Sequence, residues 1–270
     1  MATSDLAMSL HPDAVLVLGD NQYEESSAAD YQAMYEPSWG RLKALTHPSI
    51  GNHEYLDASG GDADPARGYF DYFGAAAGAR SQGWYSFDVG TWHLVALNSE
   101  CSQLGVGGCS TGSVQQQWLE ADLAAHPNAC TLAFMHEPRF TSGSHDNSVS
   151  TTALWNTLVD AHADIMLSGH NHDYERFDYL GVIPTPNSPD SETASPDADP
   201  NGMREFVVGV GGKSTIEFIR PALRNEQVRD DTTFGVLALT LHPTSYDWAF
   251  VPAGPPNDGT FTDVGTGSCH

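Results

Sequence analysis

Lysine is almost missing from this chain: only Lys43 and Lys213 occur in 270 residues. Lysine and arginine together number 11 against 35 acids, a formal net charge of −24. So acidic a surface repels phosphate backbones and anionic lipid heads, which argues against a nucleic-acid polymer or a membrane surface as partner. Long apolar runs are missing too. None approaches the ~20 residues that a bilayer-spanning helix needs. The opening stretch MATSDLAMSLHPDA has neither a basic n-region nor an apolar core of roughly 7–15 residues, so no secretory signal is read there. Charged residues are scarce at 17%, which excludes a solvated polyelectrolyte, while 40% hydrophobic and 10% aromatic residues suffice for a real core. At roughly 100–200 residues per domain, one domain over residues 1–270 is expected.

Cysteine is sparse, with four residues. Cys101 and Cys109 enclose the loop SQLGVGG, a spacing that a short disulfide closes, with two free thiols as the alternative. Cys130 and Cys269 could also pair, but connectivity is not legible from spacing.

Short apolar runs alternate with amphipathic stretches, the pattern of α/β and layered α+β folds. Ala14–Gly19 (AVLVLG) reads as a buried strand. A helix is expected around Ala28–Leu45, broken near Pro37. Trp84–Val89 and Thr91–Asn98 read as a hairpin about Gly90. Ser113 caps a helix reaching Ala125, with Val114, Trp118, Leu119 and Leu123 as its apolar stripe. A strand at Thr131–Met135, a helix near Ala153–Ala161 and a strand at Asp164–Leu167 follow. Pro184–Gly202, rich in Pro, Ser and Asp, reads as an exposed loop. Beyond it, strands are expected at Glu205–Val210, Phe234–Leu241 and Ser245–Val251.

Four of the strand ends carry groups able to bind metal: Gly19-Asp20, Gly51-Asn52-His53, His136, and Gly169-His170-Asn171-His172. Ligands gather outside the carboxyl ends of strands in open α/β sheets, and glycine lets the chain turn sharply there. One convergent site is therefore expected. Carboxylate, amide, imidazole and phenol form a mixed O/N donor set that suits Zn, Mn and Fe rather than Ca or Mg. No thiolate stands in the cluster, which argues against a structural zinc site of the cysteine type. His170 and His172, straddling a tight turn, can reach two neighbouring ions.

In order, Gly19-Asp20-Asn21-Gln22-Tyr23, Gly51-Asn52-His53-Glu54, His136 and Gly169-His170-Asn171-His172-Asp173-Tyr174-Glu175-Arg176 resemble the calcineurin-like metallophosphoesterase superfamily. The GDxxY and GHxHxYER forms are most similar to its purple acid phosphatase branch, including bacterial relatives. The resemblance implies a layered α/β/β/α sandwich and two metal ions. Asp20 would bridge them, Asn52, His136 and His170 would complete one shell, and Tyr23 and His172 would hold the other ion. His53, and with it Asn52, would contact the phosphate of a small phosphorylated substrate, and His53 would protonate the leaving oxygen. His145 would hydrogen-bond the same phosphate. A phenolate from Tyr23 favours ferric iron, so iron paired with Zn, Mn or Fe is implied, or a Zn or Mn pair if Tyr23 does not bind. The implied reaction is phosphoester hydrolysis, with phosphomonoesters favoured, by a hydroxide activated between the two metals.

The superfamily begins with a strand ending in an Asp-containing motif, and nothing like it precedes Ala14. Asp5 lies in SDLAMSL, which reads as a helix, and Asp13 opens the next strand. The sandwich is thus expected to lack its first strand, exposing one edge of Ala14–Gly19. A chain with one intact metal site and no catalysis is the alternative this raises. The resemblance and the cysteines imply an extracytoplasmic location for the full-length protein. Arg139 and Arg176 read as structural, Arg176 pairing with a carboxylate. The histidines at 11, 47, 93, 126, 162, 242 and 270 read as surface or packing residues. Gly211-Gly212-Lys213-Ser214-Thr215 imitates the end of a phosphate loop, but Val207 stands where the pattern needs glycine. Ile216–Ile219 reads as a strand, and the glycines as a tight turn beside the metal site.

Overall fold

The computed structural model describes residues 2–103, 105–127, 130–183, 198–254 and 261–270. Helix α1 (Ala2–Ser9) leads into β1 (Val15–Leu18), and a short helix α2 (Ala28–Asp30) continues as one π turn to Tyr35. A 3-10 stretch, Trp39–Leu45, precedes β2 (Thr46–Ser49), and α3 (Arg67–Phe73) precedes the hairpin β3 (Tyr85–Val89) and β4 (Trp92–Ala96). Then come α4 (Val114–Ala125), β5 (Thr131–Phe134), α5 (Thr152–Asp160), β6 (Ile165–Ser168) and β7 (Tyr174–Leu180). The chain closes with β8 (Met203–Val208), β9 (Glu226–Asp230), β10 (Gly235–His242), β11 (Ser245–Pro252) and β12 (Val264–Ser268).

Seven strands form a mixed sheet in the order β3-β4-β5-β6-β8-β7-β9, with β4, β5, β6 and β8 parallel. Side chains alternate across its faces with the period of two that strands impose. Val95, Ala133, Met166 and Val207 turn toward α4 and α5, packing on Leu119, Leu123, Leu154 and Trp155. Leu94, Ala96, Leu132, Phe134, Ile165 and Phe206 turn the other way, onto Tyr246, Trp248 and Phe250 of β11 and Leu16 and Leu18 of β1. Behind that second layer, Ala7 of α1 packs with Val15, Leu42 and Val236. The order from outside to outside is helix, sheet, sheet, helix, as the resemblance implies. In the second layer β1 pairs only with β2, and β10 only with β11, among the described residues. Leu16–Leu18 are accordingly half-buried.

Several elements depart from the sequence reading. Val114 is 60% exposed and lies outside the apolar stripe of α4, which rests on Leu119 and Leu123. Ile216–Ile219 is no strand: Phe218 N–H donates to the Asp231 carboxylate (2.8 Å), so a side chain replaces the ladder. The strand pairing with β7 is instead β9. Of the expected loop Pro184–Gly202, residues 184–197 lie outside the described residues.

Both disulfides form, Cys101–Cys109 and Cys130–Cys269. The second ties the end of the chain to the start of β5 across 139 residues of sequence, against 8 for the first. Loop-closure entropy then assigns about 5 kcal/mol to Cys130–Cys269 and about 2.6 kcal/mol to Cys101–Cys109. Replacing each pair with serine should show this roughly twofold difference in denaturant unfolding. Equal losses would show that loop length does not set these contributions.

Candidate metal centre

Four parallel strands deliver the centre. Asp20 follows β1, Asn52 and His53 follow β2, His136 follows β5, and His170 and His172 follow β6. Stacking the two sheets brings these carboxyl ends together. Gly19 is obligatory in this arrangement: its φ is +77°, and a Cβ there would lie 2.4 Å from His136 Nδ1. Asp20 and His170 also hold positive φ, 48° and 64°, a backbone state that non-glycine residues keep only under local constraint.

The donors form two groups joined by Asp20. Around His136 Nε2 stand Asn52 Oδ1 at 3.0 Å, His170 Nδ1 at 3.0 Å and Asp20 Oδ1 at 3.3 Å. On the other side, the Tyr23 hydroxyl donates to Asp20 Oδ2 (3.0 Å) and lies 3.5 Å from His172 Nε2. The two oxygens of one carboxylate thus address two separate donor sets. His136 Nδ1–H donates to the Leu18 carbonyl (2.8 Å) and His172 Nδ1–H to the Ser214 carbonyl (2.8 Å). These bonds fix the ring orientations and leave both Nε2 atoms facing inward. The Ser214 bond belongs to the Gly211–Thr215 turn, which lies beside the site.

Electrostatics follow from the crowding. Burial alone would raise the Asp20 carboxyl, but the charge and hydrogen bond of His136, with His53, hold it well below the usual carboxylate range. Burial would lower His136, yet Asp20 pushes it up to about 10. Burial, with His136 and His145 nearby, pushes His170 down to about 3, and burial lowers His172. Burial and Asp20 raise the Tyr23 phenol, which keeps its proton while no cation is near. Asn52 Oδ1, His170 Nδ1 and Asp20 Oδ1 therefore converge on one shared proton. A metal cation replaces that proton with the same sign of charge and more ligand capacity, so the donor set fits a metal ion, and fits two through Asp20.

His53 sits beside this cluster, its N–H donating to Asp20 Oδ1 (3.0 Å) and its ring 4.5 Å from that of Tyr23. Its Nδ1–H donates to the Glu24 carbonyl (2.7 Å), leaving Nε2 toward the centre, 4.0 Å from Asp20 Oδ2. The His145 ring lies 4.4 Å from that of His170 and 6.4 Å from that of His172. Asn171 Oδ1 accepts the His145 N–H (2.8 Å), and Arg220 binds the His145 carbonyl (3.0 Å), which together place that loop at the rim. Arg176 grips Asp263 (2.6 Å) as a structural pair, and Arg139 is fully buried against Thr152.

Sequence reasoning overlooked two groups. Glu54 is fully buried and its carboxylate accepts the N–H groups of Asp20 (2.9 Å), Asn21 (2.8 Å) and Gly51 (2.7 Å). It is the carboxylate that stitches the first two ligand loops together. The signal was available: glutamate three residues after Gly51 is the spacing of a capping box. Lys213 is the second. Its Nζ lies 4.3 Å above the Tyr23 ring and pairs with Glu24, at the mouth of the centre.

The family model for calcineurin-like phosphoesterases matches residues 3–174, and the chain belongs to that family. Within it, the chain is similar to purple acid phosphatases. It is 29% identical to purple acid phosphatase 21 of Arabidopsis thaliana over 241 residues, 83% of this chain and 49% of that one. It is also 29% identical to purple acid phosphatase 23 of the same plant over 212 residues, 66% of this chain and 44% of the relative. The chain thus spans under half the length of these curated relatives. Among solved structures, it matches the purple acid phosphatase PPD1 of yellow lupin (Lupinus luteus) with a TM-score of 0.72. That match has 21% identity and covers 98% of this chain and 48% of that one, a likeness of fold.

Proposed function

We propose that this chain is a metal-dependent phosphatase that hydrolyses small phosphomonoesters at a dinuclear centre. The observation that carries the reading is Asp20, whose Oδ1 meets the His136 group and whose Oδ2 meets Tyr23. Asn52, His136 and His170 would hold one ion, Tyr23 and His172 the other, and Asp20 both. The bound cations would lower the pKa of a water and offset charge on the phosphoryl oxygens. A Tyr23 phenolate would favour iron in its site, with Zn, Mn or Fe in the other; a Zn or Mn pair follows if Tyr23 does not bind.

The protein's own side chains do the rest. His53, its ring held by the Glu24 carbonyl, presents Nε2 where the leaving oxygen of a bound phosphate needs a proton. Asn52 and His145 would orient the phosphate. Lys213 stands over the Tyr23 ring and is paired with Glu24, so an incoming phosphate would compete with Glu24 for its ammonium. The two disulfides suit an oxidising, extracytoplasmic compartment. No helix among the described residues is long and apolar enough to cross a membrane.

Comparing p-nitrophenyl phosphate with its bis-ester tests the substrate class. A higher kcat/KM for the monoester is expected, and preference for the diester would overturn that part of the reading. Lys213→Ala should raise KM for the monoester about tenfold with kcat little changed if the ammonium passes from Glu24 to the bound phosphate. An unchanged KM would remove Lys213 from the substrate path.

A further inference from the structure

A second cluster of ligand atoms stands at the opposite ends of the strands. His93 lies beside Thr131 at the start of β5, whereas His136 follows that strand's end. His93 is 3% exposed, and Asp88 is its cross-strand partner on β3. His126 caps the C-terminus of α4, and Asp122 lies one turn earlier on that helix. One donor atom each from Asp88, His93 and His126 lies within 4.8 Å of the others.

We propose that Asp88, His93 and His126 form a separate site for one divalent d-block cation, with zinc the ion best suited. The hydrogen bonds around the histidines support it. His93 Nε2 meets Asp122 Oδ2 at 2.8 Å, and Ser86 Oγ donates to the other oxygen of that carboxylate at 2.8 Å. His126 Nδ1–H donates to the Asp122 carbonyl (2.7 Å). His93 Nε2 is thus held by a carboxylate, the arrangement that orients metal-bound histidines, while the His126 bond holds its ring in the stacked position. The nitrogens left over are His93 Nδ1, 2.9 Å from Asp88 Oδ1, and His126 Nε2.

Charge favours a cation there. Two carboxylates converge on the negative end of α4, in a protein of net charge −24. Two imidazoles and one carboxylate select zinc, and also copper or nickel, over calcium and magnesium. The rings now stack at 4.0 Å with 14° between their planes. A tetrahedral ion needs donors about 3.3 Å apart, so one ring must turn to close the site. His126 is the ring able to turn, being at a helix end with 38% of its side chain exposed, and in turning it gives up its bond to the Asp122 carbonyl. A bound ion would tie the edge hairpin β3–β4 to α4. The competing state is metal-free, with His93 bridging Asp88 and Asp122.

Elemental analysis decides between them. Wild type, His126→Ala and Asp88→Asn are stripped with chelator, equilibrated with zinc and desalted. Both variants should retain about one equivalent less zinc than wild type, and added zinc should raise their melting temperatures less. Their phosphatase activity should stay at the wild-type level, because neither residue belongs to the catalytic centre. Equal zinc content in all three proteins would overturn the proposal and leave the phosphatase reading intact. His126 and Asp88 are surface positions on different elements, so a folding failure in one leaves the other as the test.

Discussion

His53→Ala should lower kcat on a phosphomonoester about 10²–10⁴-fold while leaving the metal content unchanged. The separation follows from where His53 stands. Its ring is anchored to the Glu24 carbonyl and approaches Asp20 only at 4.0 Å, so removing the imidazole takes away a proton donor and no ligand. The backbone N–H that binds Asp20 Oδ1 survives the substitution. Asp20→Ala should behave differently. It removes the carboxylate shared by both donor sets, so two equivalents of metal and all measurable turnover should disappear together. Elemental analysis beside steady-state kinetics separates the two patterns. Metal loss in His53→Ala, or retention of both ions in Asp20→Ala, would reverse the roles assigned to them.

Glu54→Ala should destabilise the protein by about 3 kcal/mol or more and empty the centre, although Glu54 is not among the candidate metal ligands. Three buried or half-buried N–H groups lose their acceptor at once, and each orphaned donor costs about 1–3 kcal/mol. The Tyr31 hydroxyl loses its acceptor as well. Burial and the nearby Asp20 charge already push the Glu54 carboxyl up to about 7, a sign of how costly this buried charge is. Glu54→Gln keeps one oxygen acceptor and should recover part of the stability. Denaturant unfolding of the chelator-treated proteins isolates the effect from metal binding. A loss below 1 kcal/mol would mean that the Asp20 and Gly51 loops hold their shape without this carboxylate.

The candidate ligands after β1, β5 and β6 were legible because each follows an apolar run. Gly19-Asp20 after AVLVLG and Gly169-His170 after IMLS are read directly from the ends of such runs. Strand β2 was less visible: Thr46-His47-Pro48-Ser49 has no apolar alternation, and its pairing with β1 comes from the surrounding sheet. Lys213 was dismissed with a false phosphate loop, although the turn it belongs to lies against His172. The Asp88–His93–His126 cluster left no local pattern. The β3–β4 hairpin sets Asp88 opposite His93, and packing of α4 on the sheet adds His126. Ile216–Ile219 shows the opposite failure, an apolar run whose backbone finds a side-chain partner in Asp231 instead of a neighbouring strand.

The most direct test of the metal-dependent phosphatase reading is p-nitrophenyl phosphate hydrolysis before chelation, after it, and after separate addition of iron with zinc, iron with manganese, zinc alone and manganese alone. The reading predicts turnover that chelation abolishes and at least one of these additions restores, with Asp20→Ala silent throughout. Turnover that survives complete metal removal, or that no metal restores to a folded chain, would contradict it.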